Sequence, residues 1–209
     1  MTEAAPSDLF SERLLDAMLE IAPEAGWTDV GLARAATKAG LTEGQVQLAT
    51  PNGVGDLLDL FGKRAARAAE ARLAQSDISG MKVREKVATA VRAWVAFLQP
   101  HREAVKRAAG SPANVLTGPK GLWTAADAIW AGLGDKSTDY NWYTKRMILS
   151  GVIGSTLVAW LGTDDQAQVD AFLDRRIENV MQFEKFKGEV REAVSKMPNP
   201  FDLMGGKAK

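Results

Sequence analysis

The sequence predicts an all-α protein: a helical bundle with a small N-terminal helix-turn-helix lobe and an amphipathic C-terminal helix. Three observations predict it. Apolar residues recur every three to four positions over most of the chain, and no stretch alternates as a strand would. Gly and Pro interrupt the periodic stretches at Pro23, Gly26, Gly40, Pro51, Pro100 and Gly134. The 209 residues, 46% of them apolar, suffice for one cored domain or one domain with a small appended lobe.

Taken in order, the first helix covers residues 8–22, with Leu9, Phe10, Leu14, Met18 and Ile21 on its apolar side, and Pro23 and Gly26 end it. Thr28 and Asp29 cap a second helix, Val30 to Ala39. Gly40 turns the chain, and Thr42 caps a short third helix to about Leu48. Helix, glycine turn, helix is the helix-turn-helix pattern. A DNA-reading third helix needs basic side chains, yet Thr42–Ala49 contains Glu43 and no Lys or Arg. The motif is therefore expected to be a relic of the fold, with no nucleic acid as partner.

Asn52-Gly53 caps a long fourth helix to about Gln75, with Arg64, Arg67 and Arg72 in solvent; residues 76–81 link it onward. A fifth helix, 82–99, turns Val87, Val91, Trp94, Val95 and Leu98 inward, and Pro100 breaks it before a sixth, 101–109. Residues 82–107 hold seven bases against two acids, which is read as two solvated helix faces or as a contact for anionic lipid headgroups. A loop over 110–121 leads to a seventh helix, Leu122–Leu133.

The eighth helix starts near Tyr140, behind the capping candidates Ser137, Thr138 and Asp139. From Met147 to Thr163 it has 17 uncharged residues, seven of them Gly, Ser or Thr. That is too short and too polar to span a bilayer, which takes roughly 20 apolar residues, so it is expected to be buried all round. Gly151 and Gly154 each cost about 1 kcal/mol against alanine in a helix, which points to close helix approach or to room for a ligand. A ninth helix runs from about Gln166 to Phe186, behind Asp164-Asp165. The tail repeats apolar residues at Phe183, Phe186, Val190, Val194 and Met197, with Phe201 beyond and Gly188 as a hinge. It either docks on its own domain or lies in a membrane interface. The domains are then 1–50, 51–187 and 188–209.

Composition excludes several chemistries. Net charge is zero (26 bases, 26 acids), which argues against a general polyanion binder. No cysteine and a single histidine, His101, leave no thiolate site and no His-rich metal site. No phosphate loop, carboxylate dyad or Glu-x-x-His pair occurs, so neither catalysis nor a metal or cofactor is expected. The acidic N-terminus, MTEAAPSDLF, resembles no targeting signal, and a bacterial cytoplasm is expected.

One stretch stands apart: GDKSTDYNWYTKRMIL, residues 134–149. Trp142 and Arg146 share a helix face, as do Asp139 and Tyr143. Indole, guanidinium and carboxylate together have the composition of a protein-contact hot spot. The same residues also fit a reading in which Trp142 and Tyr143 are core and Lys145 and Arg146 a solvated turn.

STDYNWYTKR before an uncharged helix resembles the signature of the coenzyme Q (ubiquinone) biosynthesis accessory family, the lipid-binding Coq-nine proteins. The upstream GWTDVGLARAATKAGL is similar to that family's degenerate helix-turn-helix, shared with TetR-type regulators. The resemblance implies a TetR-like fold that dimerises through its C-terminal helices. It implies a non-enzymatic accessory protein that presents an isoprenoid quinone precursor to a membrane-associated hydroxylase, at the cytoplasmic face of the inner membrane in a bacterium. The ligand would be a bound lipid, isoprenoid quinone or phospholipid, rather than a cofactor. Its cavity would involve Trp94, Leu98, Leu122, Ile148, Val152 and Phe172. Partner contact would fall to Asp127, Ile129, Asp139, Trp142, Tyr143 and Arg146, and membrane contact to Phe186, Val190, Val194, Met197 and Phe201. Tyr140, Lys145 and the loop 110–121 depart from the family pattern. A TetR-type ligand-responsive regulator is the alternative, and an enzyme acting on a lipid a third reading.

Overall fold

The computed structural model describes residues 5–111, 118–138 and 140–195, with side chains for all of these except Tyr140 and 183–195. They form nine α-helices: α1 (Pro6–Ala25), α2 (Asp29–Ala39), α3 (Glu43–Ala49), α4 (Val54–Gln75), α5 (Val83–Leu98), α6 (Arg102–Ala109), α7 (Pro119–Gly132), α8 (Tyr140–Gly162) and α9 (Gln166–Ser195). A 3-10 turn, Gln99–His101, joins α5 to α6. No strand occurs among the described residues. The expected all-α architecture, a helix-turn-helix lobe before a longer bundle, is the one the helices form.

Local chemistry sets most of the ends. The Thr28 hydroxyl accepts from the Gly31 amide (3.1 Å), capping α2. Thr42 and Gln45 form a reciprocal capping box at α3: the Thr42 amide donates to Gln45 Oε1 (2.9 Å) and the Gln45 amide to the Thr42 hydroxyl (3.4 Å). Helix α1 runs past Pro23 to Ala25 because a proline in the last turn forfeits only one backbone bond. Asn52 does not cap α4 as expected; its amide and side chain bond instead to Asp56. Helix α9 continues through Gly188 to Ser195, so the boundary expected at 187/188 falls inside one helix.

The lobe, α1 to α3, is fastened to the bundle by Trp27, by Arg64 and by Arg107, whose Nε donates to the Pro23 carbonyl (3.0 Å). Trp27 is buried, donates from Nε1 to the Ala104 carbonyl (2.8 Å) and stacks on Phe61 at 6.2 Å. Arg64 is not a solvated base, as expected, but bonds Glu12 (Nε, 2.6 Å) and Asp16 (Nη1, 2.5 Å) of α1. In the bundle α4 packs on α5 and α7, α7 on α8, and α8 on α9, which also touches α5.

In the basic stretch of α5 and α6, Arg84, Arg92, Arg102 and Lys106 each pair with an acid. Arg92 bonds Asp174 (2.6 Å) and Asp170 (3.3 Å), and Arg84 lies 3.7 Å from Glu178, all on α9. Arg102 donates to the Trp160 and Thr163 carbonyls (both 2.8 Å) and pairs with Asp164 (2.6 Å), closing the C-terminal end of α8. These pairings tie α5 to α9 and α6 to the end of α8.

Helix α8 is not buried all round. Leu149, Val152, Ile153, Thr156, Leu157 and Trp160 face the core, whereas Met147 is 61% and Val158 70% exposed. Helices α7 and α9 cover one side and leave the other bare. The two glycines divide accordingly. A Cβ on Gly154 would lie 2.9 Å from Leu122 Cδ1, so Gly154 permits close approach of α7; one on Gly151 would meet nothing within 4 Å.

The single histidine sits at the join between lobe and bundle. The His101 ring meets Phe61 edge-on at 5.6 Å and Phe97 at 6.3 Å. Burial first, and then the Arg64 charge, hold its pKa below the ordinary 6.5, against the opposing pull of Asp16. The folded state thus favours the neutral ring, and the unfolded chain takes up the proton first as pH falls. Melting temperature should drop as pH is lowered from about 6.5 through the depressed folded value. His101→Gln should melt lower at neutral pH but lose that part of the pH slope, as thermal denaturation between pH 7 and 5 would show.

Candidate functional site

The site grows from the way α7 ends. Gly134, at φ +73°, takes the left-handed conformation that an L side chain resists. Its amide bonds the Ala131 carbonyl (2.9 Å), and the next amide, of Asp135, bonds the Trp130 carbonyl (3.0 Å). This tight close aims the Asp135 carboxylate back at the first turns of α8. The Asp135 side chain is 6% exposed and accepts three bonds: from Ser137 Oγ (2.8 Å), Lys145 Nζ (2.7 Å) and Arg146 Nη1 (3.2 Å). The Lys145 bond above all, then those of Ser137 and Arg146, hold its pKa far below the ordinary carboxylate range despite burial.

Arg146 is 3% exposed, and its Nε donates to Asp127 Oδ1 at 2.5 Å. Its guanidinium lies 4.0 Å from the centre of the Trp142 ring, while Nη1 also donates to the Trp142 carbonyl (3.2 Å). Lys145 does the same for a second indole: its Nζ is 5.3 Å from the Trp130 ring centre, and Trp130 Nε1 donates to the Lys145 carbonyl (3.2 Å). Above this ionic layer sits an aromatic one. Trp142 meets Tyr143 at 4.7 Å and 83°, and Trp123 meets Trp142 at 5.6 Å and 61°.

Of the expected partner-contact residues, Tyr143 is 61% exposed, Trp142 is half-buried, and the Asp127 carboxylate is 47% exposed. Ile129 and Arg146 lie beneath the surface, Ile129 fully buried. Arg146 is buried because Asp135 meets it inside and Asp127 at the surface, so a core does hold a base beside aromatics here. Asp139 lies outside the described residues. Sequence reasoning passed over Asp135, Trp123 and Trp130. The signal for Asp135 was its place directly after the helix-ending Gly134, in the same stretch as Lys145 and Arg146.

The expected lipid contacts lie at several depths. Trp94, Leu98 and Val152 are buried in the core; Leu122, Ile148 and Phe172 are half-buried. One open groove, about 410 Å³, lies between α4 and α7 beside Glu70, Leu73 and Gly132, and another, about 530 Å³, between α5 and α9 beside Arg84, Thr89 and Ile177. None of the six residues lines either. The expected membrane contacts Phe186, Val190 and Val194 lie on the last turns of α9, their side chains outside the description; Met197 and Phe201 are outside the described residues altogether. Among the described residues no helix is long and apolar enough to cross a membrane, and no group of His, Cys, Asp or Glu could hold a metal ion.

The fold and the patch define a helical-bundle protein with a helix-turn-helix lobe and an aromatic patch on a buried ionic layer. Comparison with known proteins names the class more closely. Residues 115–184, which contain the patch, match the COQ9 family model. Homologues of the chain are the probable ubiquinone biosynthesis protein coq9, mitochondrial, of Dictyostelium discoideum (30% identical, covering 61% of this chain and 43% of that one) and the mitochondrial ubiquinone biosynthesis protein COQ9 of Rattus norvegicus (29%, 81% and 58%) and Homo sapiens (27%, 81% and 57%). The chain spans about half the length of the curated relatives it matches. A solved transcriptional regulator from Rhodococcus sp. Rha1 aligns over 86% of this chain and 97% of its own, at 20% identity and a TM-score of 0.49. The resemblance drawn from STDYNWYTKR is thus the correct one. The expected bacterial cytoplasm is not: these relatives are mitochondrial proteins, and the acidic N-terminus on which the expectation rested is no guide to an address.

Removing Arg146 would leave Asp127 and the buried Asp135 short of a partner. Arg146→Met, similar in length, should therefore cost about 3 kcal/mol or more in a chemical denaturation curve, as breaking a buried pair from one side does.

Proposed function

We propose that this protein is a non-enzymatic, lipid-binding accessory factor of ubiquinone biosynthesis that presents an isoprenoid quinone precursor to a hydroxylase of that pathway. The observation that carries the reading is the patch at the start of α8. A half-buried indole and an exposed phenol stand on a fully paired ionic base, within the segment that matches the COQ9 family. Large rigid aromatics held in one orientation make good anchors, because little side-chain entropy is lost on binding. The bound lipid would be an isoprenoid quinone or a phospholipid, and the apolar positions at the end of α9 and beyond would meet membrane surface lipids.

A second copy of the chain belongs to the same proposal. Met147, Gly151 and Val158 form an uncharged stripe along the bare side of α8, at helical spacing. Burying such a stripe against its own symmetry mate gives a self-complementary interface without stranding a charge.

Two measurements test these statements. Tyr143→Ala removes an exposed side chain and should leave the melting curve within about 0.5 kcal/mol of wild type. It should still weaken capture of the hydroxylase by about 2 kcal/mol if Tyr143 is an anchor. Capture at wild-type strength would refute the docking role, and a lipid extract of the purified protein would show whether a quinone-like lipid travels with it. Val158→Asp places a charge in the proposed dimer seam. It should convert a dimer to a folded monomer in light scattering, whereas a wild-type monomer would dismiss the second copy.

A further inference from the structure

We infer that Asp135 is the positioning residue of the aromatic patch, a role resting on the reading of that patch as the docking face. The carboxylate bonds both Lys145 (2.7 Å) and Arg146 (3.2 Å), and each of those cations stands over a different indole, Lys145 over Trp130 and Arg146 over Trp142. Asp127 also meets Arg146, at 2.5 Å, but its carboxylate is 47% exposed and, among the described residues, pairs with that cation alone. Asp135, at 6%, is the acid screened from water, where an ionic bond is stronger and losing it leaves a cation uncompensated. Its own place is fixed by the left-handed Gly134 and by the bond from its amide to Trp130. The end of α7 therefore sets the carboxylate, the carboxylate sets two cations, and the cations set two rings.

Neutralising Asp135 removes the charge and keeps the shape. In Asp135→Asn Lys145 loses its ionic partner and Arg146 keeps only the more exposed Asp127, so both cations lose the carboxylate that fixes them against their rings. In Lys145→Gln only the cation over Trp130 is lost, while Arg146 keeps both acids.

The test labels the full-length protein with 5-fluorotryptophan and reads its six tryptophans by fluorine NMR. In Asp135→Asn the Trp130 and Trp142 resonances should shift or broaden, while Trp27, Trp94 and Trp160 hold their positions. In Lys145→Gln, Trp130 should move and Trp142 should not. Hydroxylase capture should fall about tenfold or more for Asp135→Asn, and Asp135→Glu should restore part of it, since the negative charge returns. The inference is overturned if the Trp130 and Trp142 signals of Asp135→Asn stay at their wild-type positions, or if all six move together as in a general loosening of the fold. A different pattern separates the underlying reading. If the two signals move as expected and capture survives in both Asp135→Asn and Tyr143→Ala, then Asp135 positions the rings and the patch is not the docking face.

Discussion

A guanidinium cannot leave water unpaired, and in this protein that constraint falls on Arg146. Its surroundings follow from it. Asp127 reaches it from α7, Asp135 from the turn between α7 and α8, and the Trp142 ring closes over its face. Because Asp135 also holds Lys145, the first turn and a half of α8 is tied to the end of α7 by charge rather than by apolar packing alone. A paired ionic layer of this kind contributes little net stability compared with an apolar core, but it tolerates few alternative geometries. The rings above it inherit that precision, which is what an anchor surface requires.

The same principle operates elsewhere with different partners. The molecule has no net charge, and much of its balance is spent across helix boundaries. Arg64 ties α4 to the lobe through Glu12 and Asp16; Arg92 ties α5 to α9 through Asp170 and Asp174. Arg102 serves the carbonyls at the C-terminal end of α8 while its guanidinium lies 5.2 Å from the Trp160 ring centre. Arg34 and Lys38 of α2 pair with Glu24 and Glu20, and α3 itself carries no Lys or Arg.

Helix α8 has two unlike sides. The inner side is ordinary core, with Gly154 admitting Leu122 against its backbone. The outer side exposes Met147 and Val158 and begins, at its N-terminal end, with Tyr143. The aromatic patch and the bare stripe are therefore continuous along one helix. An uncharged helix that is half covered by its own chain leaves apolar surface that water does not favour.

Helix positions, their caps and the turn chemistry were legible in the residues themselves, because Thr28, Thr42 with Gln45, Gly40 and Gly134 act on amides within a few residues of their own position. The stretch GDKSTDYNWYTKR likewise stood out as a candidate site, since its composition is local. Which of its members face outward was not. Whether Arg146 is buried depends on Asp127, 19 residues away, and whether Arg64 is solvated depends on Glu12, 52 residues away. Periodicity likewise says that α8 is apolar all round, but not how many neighbours cover it. Sequence determines what each helix could bury, through bonds and propensities that act over one or two turns. Only the tertiary structure decides what each helix does bury, because burial and the pairing of charge are properties of surfaces brought together from distant parts of the chain.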